Sequence, residues 1–297
     1  VITSTRNEIE SQYELYDYYT PEKMAVIPPG INLEQFHPVI QGQPAISQAF
    51  QSKLSLFLRD PAKPMILALS RPDERKNIVS LLEVFGQNKS LQKLANLVIV
   101  AGNRDDIREL NDGVQSVLTE LLWVIDVYEL YGLVALPKHH SAEDVPDIYR
   151  YAAASKGVFV NPALTEPFGL TLLEAAASGL PLVATENGGP VDIIGNCGNG
   201  LLVDPLGREA IADALLSILQ NPARWQEFSS NGLRNISRFY SWEAHAQSYL
   251  ALLQTLVSKR KPLTQVTSTH QFSTYRNRAL FTAIDNTLLG DPEALEQ

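Results

Sequence analysis

Short apolar runs alternate with segments of helical periodicity through the middle of the chain, a pattern typical of a parallel sheet with crossover helices. Between residues 105 and 130 apolar residues recur every three or four positions, although Gly113 argues against one unbroken helix. The apolar runs are short and continuous, as in strands buried on both faces. Six strands are therefore predicted, over residues 65–70, 97–101, 133–136, 158–161, 182–184 and 201–203.

The pattern changes at both ends of this region. After the last predicted strand the sequence indicates only helices: residues 207–220, a helix opened by Asn221 and Pro222, and a helix opened by Ser241. Residues 1–30 predict a strand end, a short helix capped near Ser4 or Thr5 and a turn, which we interpret as the end of a preceding domain and a hinge. The predicted fold class is α/β, a Rossmann-like parallel sheet with helices on both faces over residues 31–257, ending in C-terminal helices.

The last forty residues have a different composition. Residues 258–278 are rich in Ser and Thr, with five Lys or Arg and no acid, which predicts an exposed linker; a basic arm for nucleic acid is the alternative. Residues 279–297 include a short apolar strand pattern, which predicts the start of a truncated further domain. Because the first residue is Val1 and not Met, we also expect the chain to be a piece of a longer protein.

Composition and charge exclude several classes of function. Hydrophobic residues make up 45% and charged residues 19% of the 297 residues, as in ordinary globular proteins. The formal charge of −9 disfavours nucleic acid and anionic membranes as partners. One cysteine, Cys197, cannot form an internal disulfide, and no apolar run is long enough to span a bilayer, so a cytoplasmic location is expected. The last helix pattern contains Trp242, Tyr249, Leu250 and Leu253, and we expect the isolated chain to self-associate through it.

The loops after the predicted strands are where a doubly wound sheet binds its ligand. The phosphate-binding motifs G-x-G-x-x-G and G-x-x-x-x-G-K-[ST] are absent, as are H-E-x-x-H and G-x-S-x-G. The loop after the first predicted strand instead contains Arg71 and Lys76, cations suited to a diphosphate. The alternative is a solvated loop whose Arg and Lys side chains pair with Asp73 and Glu74.

A second informative loop follows the fourth predicted strand. Pro167 keeps Glu166 extended, and Gly169 permits close approach of the backbone just before a helix that contains Glu174. The free amide groups at the start of that helix suit an anion. Alternatively, Glu174 is a glutamate favoured by the helix dipole and Glu166 is a loop charge.

Two further loops carry weaker signals. His139 and His140 suggest a metal, but no carboxylate or thiolate lies at ligand spacing, so a surface or capping role is favoured. The turn at residues 187–190 either brings backbone against a ligand or only supplies a positive φ.

Glu166 and Glu174 match the E-x7-E motif of retaining glycosyltransferases with two facing Rossmann-like domains, and residues 1–257 resemble that family. Within it, residues 70–77, 101–106 and 137–150 are similar to the sucrose-phosphate synthases, which have the sucrose synthases as near relatives.

The resemblance implies a role for each candidate residue. Arg71 and Lys76 would neutralise the departing diphosphate, and with no DxD motif in the sequence they would replace a metal ion, so no cofactor or metal is expected. Glucose hydroxyls and the β-phosphate would be bound by Glu166 and by the backbone of Phe168, Gly169 and Leu170. Ribose hydroxyls would be bound by Glu174, and uracil by the backbone around Val134 to Leu136.

The resemblance also implies substrates. The family transfers glucose from UDP-glucose to fructose 6-phosphate with retention, by front-face attack and without a protein nucleophile. Because the acceptor site of the family lies in the N-terminal domain, we expect this chain to bind the donor without turning it over alone. Residues 280–290 resemble the opening strand of a phosphatase-like domain of the haloacid dehalogenase group, with Ala283 at the nucleophile position, which implies a vestigial module. The alternatives are sucrose synthase or another UDP-sugar-dependent transferase, and a non-catalytic UDP-binding fragment.

Overall fold

The structure, a computed structural model, describes residues 1–17, 19–40 and 48–258. Within these residues there are eight strands: β1 Ile2–Thr3, β2 Ala25–Val26, β3 Met65–Leu69, β4 Asn96–Val100, β5 Val134–Ala135, β6 Val158–Asn161, β7 Leu182–Thr185 and β8 Gly200–Val203. The α-helices described are α1 Gln48–Ser55, α2 Ile78–Gln87, α3 Lys89–Leu94, α4 Asp112–Val127, α5 Asp144–Ala154, α6 Leu170–Ala177, α7 Pro190–Cys197, α8 Arg208–Leu219, α9 Pro222–Tyr240 and α10 Trp242–Ser258.

Six of the strands form one parallel sheet in the order β5-β4-β3-β6-β7-β8. The central strand β3 pairs on both sides, so that Ile66 lies beside Leu97 of β4 and beside Val158 of β6. The chain therefore runs outward from β3 through β4 to β5, and then returns to the other side of β3. The loops after β3 and β6 diverge at this switch point and leave a crevice between them.

The sheet is buried on both faces by helices, which explains why its strands have continuous apolar sequences. One face of β3 contributes Ile66 and Ala68 to a core with α2, α4 and α8. The other face contributes Met65 and Leu67 to a second core, which includes Tyr149 of α5 together with residues of α6 and α9. The predicted fold class and all six predicted strands are confirmed, with each strand end within one residue of its predicted position.

The predicted helices also form, with one break. Residues 105–130 divide into a 3-10 turn at Ile107–Glu109 and helix α4. The break arises because the side chain of Asn111 accepts a hydrogen bond from the Val114 N–H and so starts a new helix. Asn221 caps α9 in the same way, and the Ser241 hydroxyl accepts from the Ala244 N–H at the start of α10, as predicted.

The N-terminal residues form a small element of their own. Strands β1 and β2 pair in parallel, and Thr5 Oγ1 accepts a hydrogen bond from the N–H of Glu8 at the start of a π-helical turn, Glu8–Gln12. Ile31 then pairs with Ser241 in an isolated bridge. The proposed divisions at residues 30 and 257 stay predictions.

The chain divides into two compact units, Val1–Leu252 and Leu253–Gln297. Of the second unit, the structure describes the last turns of α10. The predicted linker after Ser258 and the predicted phosphatase-like segment lie outside the described residues. In the described parts of the chain, no helix has the length and apolar character needed to cross a bilayer.

Candidate functional site

A cleft of about 810 Å³ lies over the carboxyl ends of β3, β4 and β6, at the switch point of the sheet. It is lined by loop residues that follow each of these strands and by one residue of the loop after β5, His140. Six of the nine predicted site residues line this cleft: Arg71, Lys76, Glu166, Phe168, Gly169 and Leu170. The other three, Val134, Leu136 and Glu174, do not line it.

An ion pair joins the two sides of the cleft. Lys76 Nζ lies 2.7 Å from Glu166 Oε2, and the two side chains are 23% and 12% exposed. The same oxygen accepts a hydrogen bond of 3.0 Å from Asn161 Nδ2, at the end of β6. Among the described residues, Glu166 Oε1 has no hydrogen-bond donor. The carboxylate is therefore fixed through one oxygen, and the other can accept a hydrogen bond from a ligand.

The backbone of Glu166 is fixed by the turn after β7. Its N–H donates to the carbonyl of Asn187, and its carbonyl accepts from the N–H of Gly189. Between them lies Gly188, with a φ of +108°, where an added Cβ would be 2.2 Å from the Glu166 carbonyl oxygen. The turn at residues 187–190 thus needs the positive φ of glycine, and its backbone packs against that of Glu166. Contact of this turn with a ligand stays a prediction.

The cations of the loop after β3 have different partners. Arg75 pairs with Asp73 at 3.1 Å, and the Arg75 guanidinium lowers the pKa of that carboxyl through its hydrogen bonds. Lys76 pairs with Glu166 across the cleft. Arg71 is exposed and forms no ion pair with any residue that the structure describes. The alternative of a self-paired loop therefore holds for Arg75 and not for Arg71 or Lys76.

Backbone amides complete the cleft opposite these cations. Gly169 has a φ of +104° and begins α6, with its carbonyl accepting from the N–H of Leu172. The N–H groups of Leu170 and Thr171 lie in the first turn of α6, so they have no partner within that helix, and both residues line the cleft. Free amides and a cation around one space form a site for an anion.

Glu174 lies on α6 beneath this region. Its Oε2 accepts a hydrogen bond of 3.0 Å from the hydroxyl of Tyr149, which is fully buried. Burial raises the pKa of Glu174, because it disfavours the charged form and the Tyr149 hydroxyl offsets this only in part. Burial also raises the pKa of Tyr149. A half-buried carboxylate with one oxygen occupied can accept hydroxyl groups, and the assignment of Glu174 to ribose stays a prediction.

Val134 and Leu136 lie further from the cleft than the sequence suggested. Both side chains are buried in the core under the β5 edge of the sheet. The Leu136 carbonyl already accepts a hydrogen bond of 3.1 Å from the guanidinium of Arg104. Contact of this backbone with uracil stays a prediction.

Sequence reasoning did not identify Asn161 or Arg104 as parts of this region, and for His140 it favoured a surface or capping role. Asn161 could have been found, because a polar residue that ends an apolar run is placed at the ligand edge of the sheet. His140 lines the cleft, and burial lowers its pKa. His139 lies 3.3 Å from Asp105. In the described part of the chain, no group of three or more His, Cys, Asp or Glu residues is placed to hold a metal ion.

The fold and the cleft define a class of protein. A Rossmann-like sheet whose switch-point cleft combines free amides, cations and an anchored carboxylate is suited to a phosphorylated, hydroxyl-rich ligand such as a nucleotide sugar. Comparison with known families agrees: the model of "Glycosyl transferases group 1" matches residues 56–234. The chain belongs to this family.

Sucrose-phosphate synthases of several plants are curated relatives of this chain. The chain is 49% identical over 288 residues to the sucrose-phosphate synthase of Zea mays, and 48% identical over 289 residues to sucrose-phosphate synthase 4 of Arabidopsis thaliana. Each match covers 84% of this chain and 27% of the relative. The chain therefore spans about a quarter of the length of these proteins.

Solved structures agree with the fold. The sucrose-phosphate synthase of Thermosynechococcus elongatus is 27% identical, with a TM-score of 0.67, and the match covers 88% of this chain and 59% of that one. HepE of Anabaena, solved in complex with UDP-glucose, has a TM-score of 0.68 over 86% of this chain and 63% of its own. At 18% identity the second likeness shows the fold alone.

Proposed function

We propose that the chain is the donor-binding part of a retaining glycosyltransferase that moves glucose from UDP-glucose to fructose 6-phosphate, giving sucrose 6-phosphate and UDP. The observation that carries this proposal is the Lys76–Glu166 ion pair in a cleft that also contains free amides and the unpaired Arg71. The match to sucrose-phosphate synthases supports the choice of substrates.

The diphosphate of the donor lies against Arg71 and Lys76. As the bond between glucose C1 and the β-phosphate oxygen breaks, negative charge grows on the departing UDP, and fixed cations stabilise it. Arg71 offers a planar fork and Lys76 a compact charge, which together perform the role of a metal ion. The amides of Leu170 and Thr171 add two further donors.

The glucosyl group lies against Glu166 and the backbone of residues 168–170. Glu166 Oε1 accepts a sugar hydroxyl while Oε2 stays bound to Lys76 and Asn161. In this proposal Glu166 binds the sugar and the reaction proceeds by front-face attack. In that step the acceptor hydroxyl forms its bond to C1 on the face that UDP leaves, and its proton passes to the departing phosphate.

The nucleoside occupies the remaining parts of the site. Glu174 binds the ribose hydroxyls with the oxygen that Tyr149 leaves free. The backbone around Val134 to Leu136 binds uracil from the β5 side. A cytoplasmic location is also proposed, and the single buried cysteine, Cys197, supports it.

Two alternatives predict different behaviour of the isolated chain. The chain spans about a quarter of its relatives, so the isolated chain can be a donor-binding part without turnover of its own. Sucrose synthase activity predicts instead that UDP-glucose reacts with unphosphorylated fructose.

The test combines binding and turnover on the purified chain. We expect Arg71→Ala and Lys76→Ala each to weaken UDP binding by about tenfold, the value of one charge-assisted contact. Lys93→Ala, on the exposed surface of α3, is the matched control and should leave the affinity unchanged. Unchanged affinity in both site variants would remove the proposed diphosphate site.

Release of UDP from UDP-glucose then separates the candidates. Release that needs fructose 6-phosphate identifies the proposed reaction, and release with fructose identifies sucrose synthase chemistry. Binding of UDP without release identifies a donor-binding part that needs the rest of the protein.

A further inference from the structure

The loop after β5, residues 136–140, contributes His140 to the wall of the cleft, although most of the loop lies outside it. This loop belongs to the edge of the sheet, since β5 has a neighbour on one side only among the described strands. Its conformation is set by the adjacent loop after β4, whose residues Asn103 and Arg104 bind its backbone.

Arg104 makes three hydrogen bonds to consecutive carbonyls of this loop. Its Nη2 donates to the Leu136 carbonyl at 3.1 Å, and its Nη1 donates to the Pro137 carbonyl at 3.2 Å. Its backbone N–H donates to the Lys138 carbonyl at 3.0 Å. The planar guanidinium thus fixes the direction of two successive peptide groups.

Asn103 binds the same loop two residues further on, at His140. Its Nδ2 donates to the His140 carbonyl, and its Oδ1 accepts from the His140 N–H, both at 2.8 Å. The residue of the loop that lines the cleft is therefore held through both of its backbone groups. Asn103 itself is exposed, so these bonds serve the loop and not the core.

The stability of the fold does not explain why an arginine occupies position 104. The side chain is buried, at 6% exposure, and no carboxylate among the described residues pairs with it. Its Nε is buried without a hydrogen-bond partner, and burial lowers the pKa of the guanidinium. A buried charge without a counter-ion stabilises a fold less than an apolar side chain of the same size.

We propose that Arg104, together with Asn103, is a positioning residue for the nucleoside end of the donor site. The two residues fix the loop at 136–140, and the loop in turn places the β5 side of the cleft against the base and ribose. The diphosphate end is built by the loops after β3 and β6 and does not depend on this contact. This inference rests on the proposed UDP-glucose site.

The test titrates the full chain with UDP and with inorganic pyrophosphate, which reports on the diphosphate end alone. We expect Arg104→Met to weaken UDP about tenfold and pyrophosphate less than about twofold, because only the nucleoside contacts are lost. Asn103→Ala should shift UDP in the same direction, and as an exposed residue it remains informative if the arginine variant does not fold. Arg108→Met, which removes an exposed arginine of the same connection, is the control and should change neither affinity.

The outcomes distinguish the inference from the function on which it rests. Variants that bind UDP as the unmodified chain does, or that lose both ligands in parallel, overturn the positioning role but do not contradict the donor site proposed for the unmodified chain. An unmodified chain that binds UDP but not pyrophosphate also counts against the inference, because the two ends would then not be separable. An unmodified chain that binds neither overturns both.

Discussion

Replacing Lys76 and replacing Glu166 should change the affinities for UDP and UDP-glucose in different ways. Lys76→Met removes a cation from the diphosphate and leaves the Glu166 carboxylate with Asn161 as its remaining protein donor. Glu166→Gln removes a negative charge near the diphosphate and releases Lys76 from its partner. The first variant should weaken both ligands, whereas the second should spare UDP and lose the extra affinity that the glucosyl group provides.

The size of the effect on stability follows from the geometry. At 2.7 Å and an effective dielectric constant of about 20, the attraction is about 6 kcal/mol before desolvation. Desolvation of two side chains that are 23% and 12% exposed offsets most of it, so we expect a net coupling of about 2 kcal/mol. Lys76→Met should cost about 2 to 3 kcal/mol of unfolding free energy, because it leaves the largely buried Glu166 carboxylate without its ion-pair partner. Glu166→Gln should cost about 1 kcal/mol, since the amide can still accept from Asn161.

The assay is a double-mutant cycle in two readouts. Denaturant unfolding of the chain, both single variants and the double variant gives the coupling in stability, and calorimetric titration gives the affinities for UDP and UDP-glucose. A coupling below about 0.5 kcal/mol would show that the pair is not formed in solution. Equal loss of UDP affinity in both single variants would refute the proposal that Lys76 binds the diphosphate and Glu166 binds the sugar.

Three further expectations come from other parts of the fold. Gly188→Ala should destabilise the chain by more than about 2 kcal/mol in denaturant unfolding, because the new Cβ would meet the Glu166 carbonyl at a positive φ, while Gly195→Ala in α7, which has open space, should be neutral or stabilising. Because burial raises the folded-state pKa of Glu174 above its ordinary value of 4.5, its contribution to stability is present below that value and is lost as the pH rises through the folded pKa. As the pH rises, the Glu174→Gln variant should therefore lose less unfolding free energy than the unmodified chain. Equal slopes of the unfolding temperature against pH for the two proteins would contradict this. The exposed apolar side chains of α10 should cause self-association, which Leu250→Gln should reduce in analytical ultracentrifugation, and a monodisperse monomer of the unmodified chain at high concentration would contradict this.

The strands could be predicted from the sequence because a parallel sheet covered on both faces leaves continuous apolar runs, and each run ends where the ligand edge begins. The helix starts at Asn221 and Ser241 could be predicted equally well, because a cap is a local interaction between residues three apart. The helix predicted over residues 105–130 failed to be continuous for the same reason: the Asn111 cap starts a second helix inside an apolar pattern that does not change.

The site was harder to predict from the sequence, because its contacts join residues that are far apart in the chain. One short loop contains three cations, Arg71, Arg75 and Lys76. Their spacing did not show that Arg75 would pair with Asp73, or that Lys76 would pair with Glu166, 90 residues later. Arg104 lies in a polar stretch that indicates a solvated loop, yet it is buried. Burial of a charge depends on carbonyls supplied by another loop, which local sequence does not specify.

The proposed donor site combines residues 71–76 and 166–174 with the loop after β5, all of which lie in this chain. Calorimetric titration of the purified chain with UDP is the decisive experiment on this site, because it needs neither an acceptor nor any further domain. We expect saturable binding at one site per chain, weakened about tenfold in Lys76→Met. A folded chain that gives no heat and no saturation with UDP at millimolar concentration would contradict it.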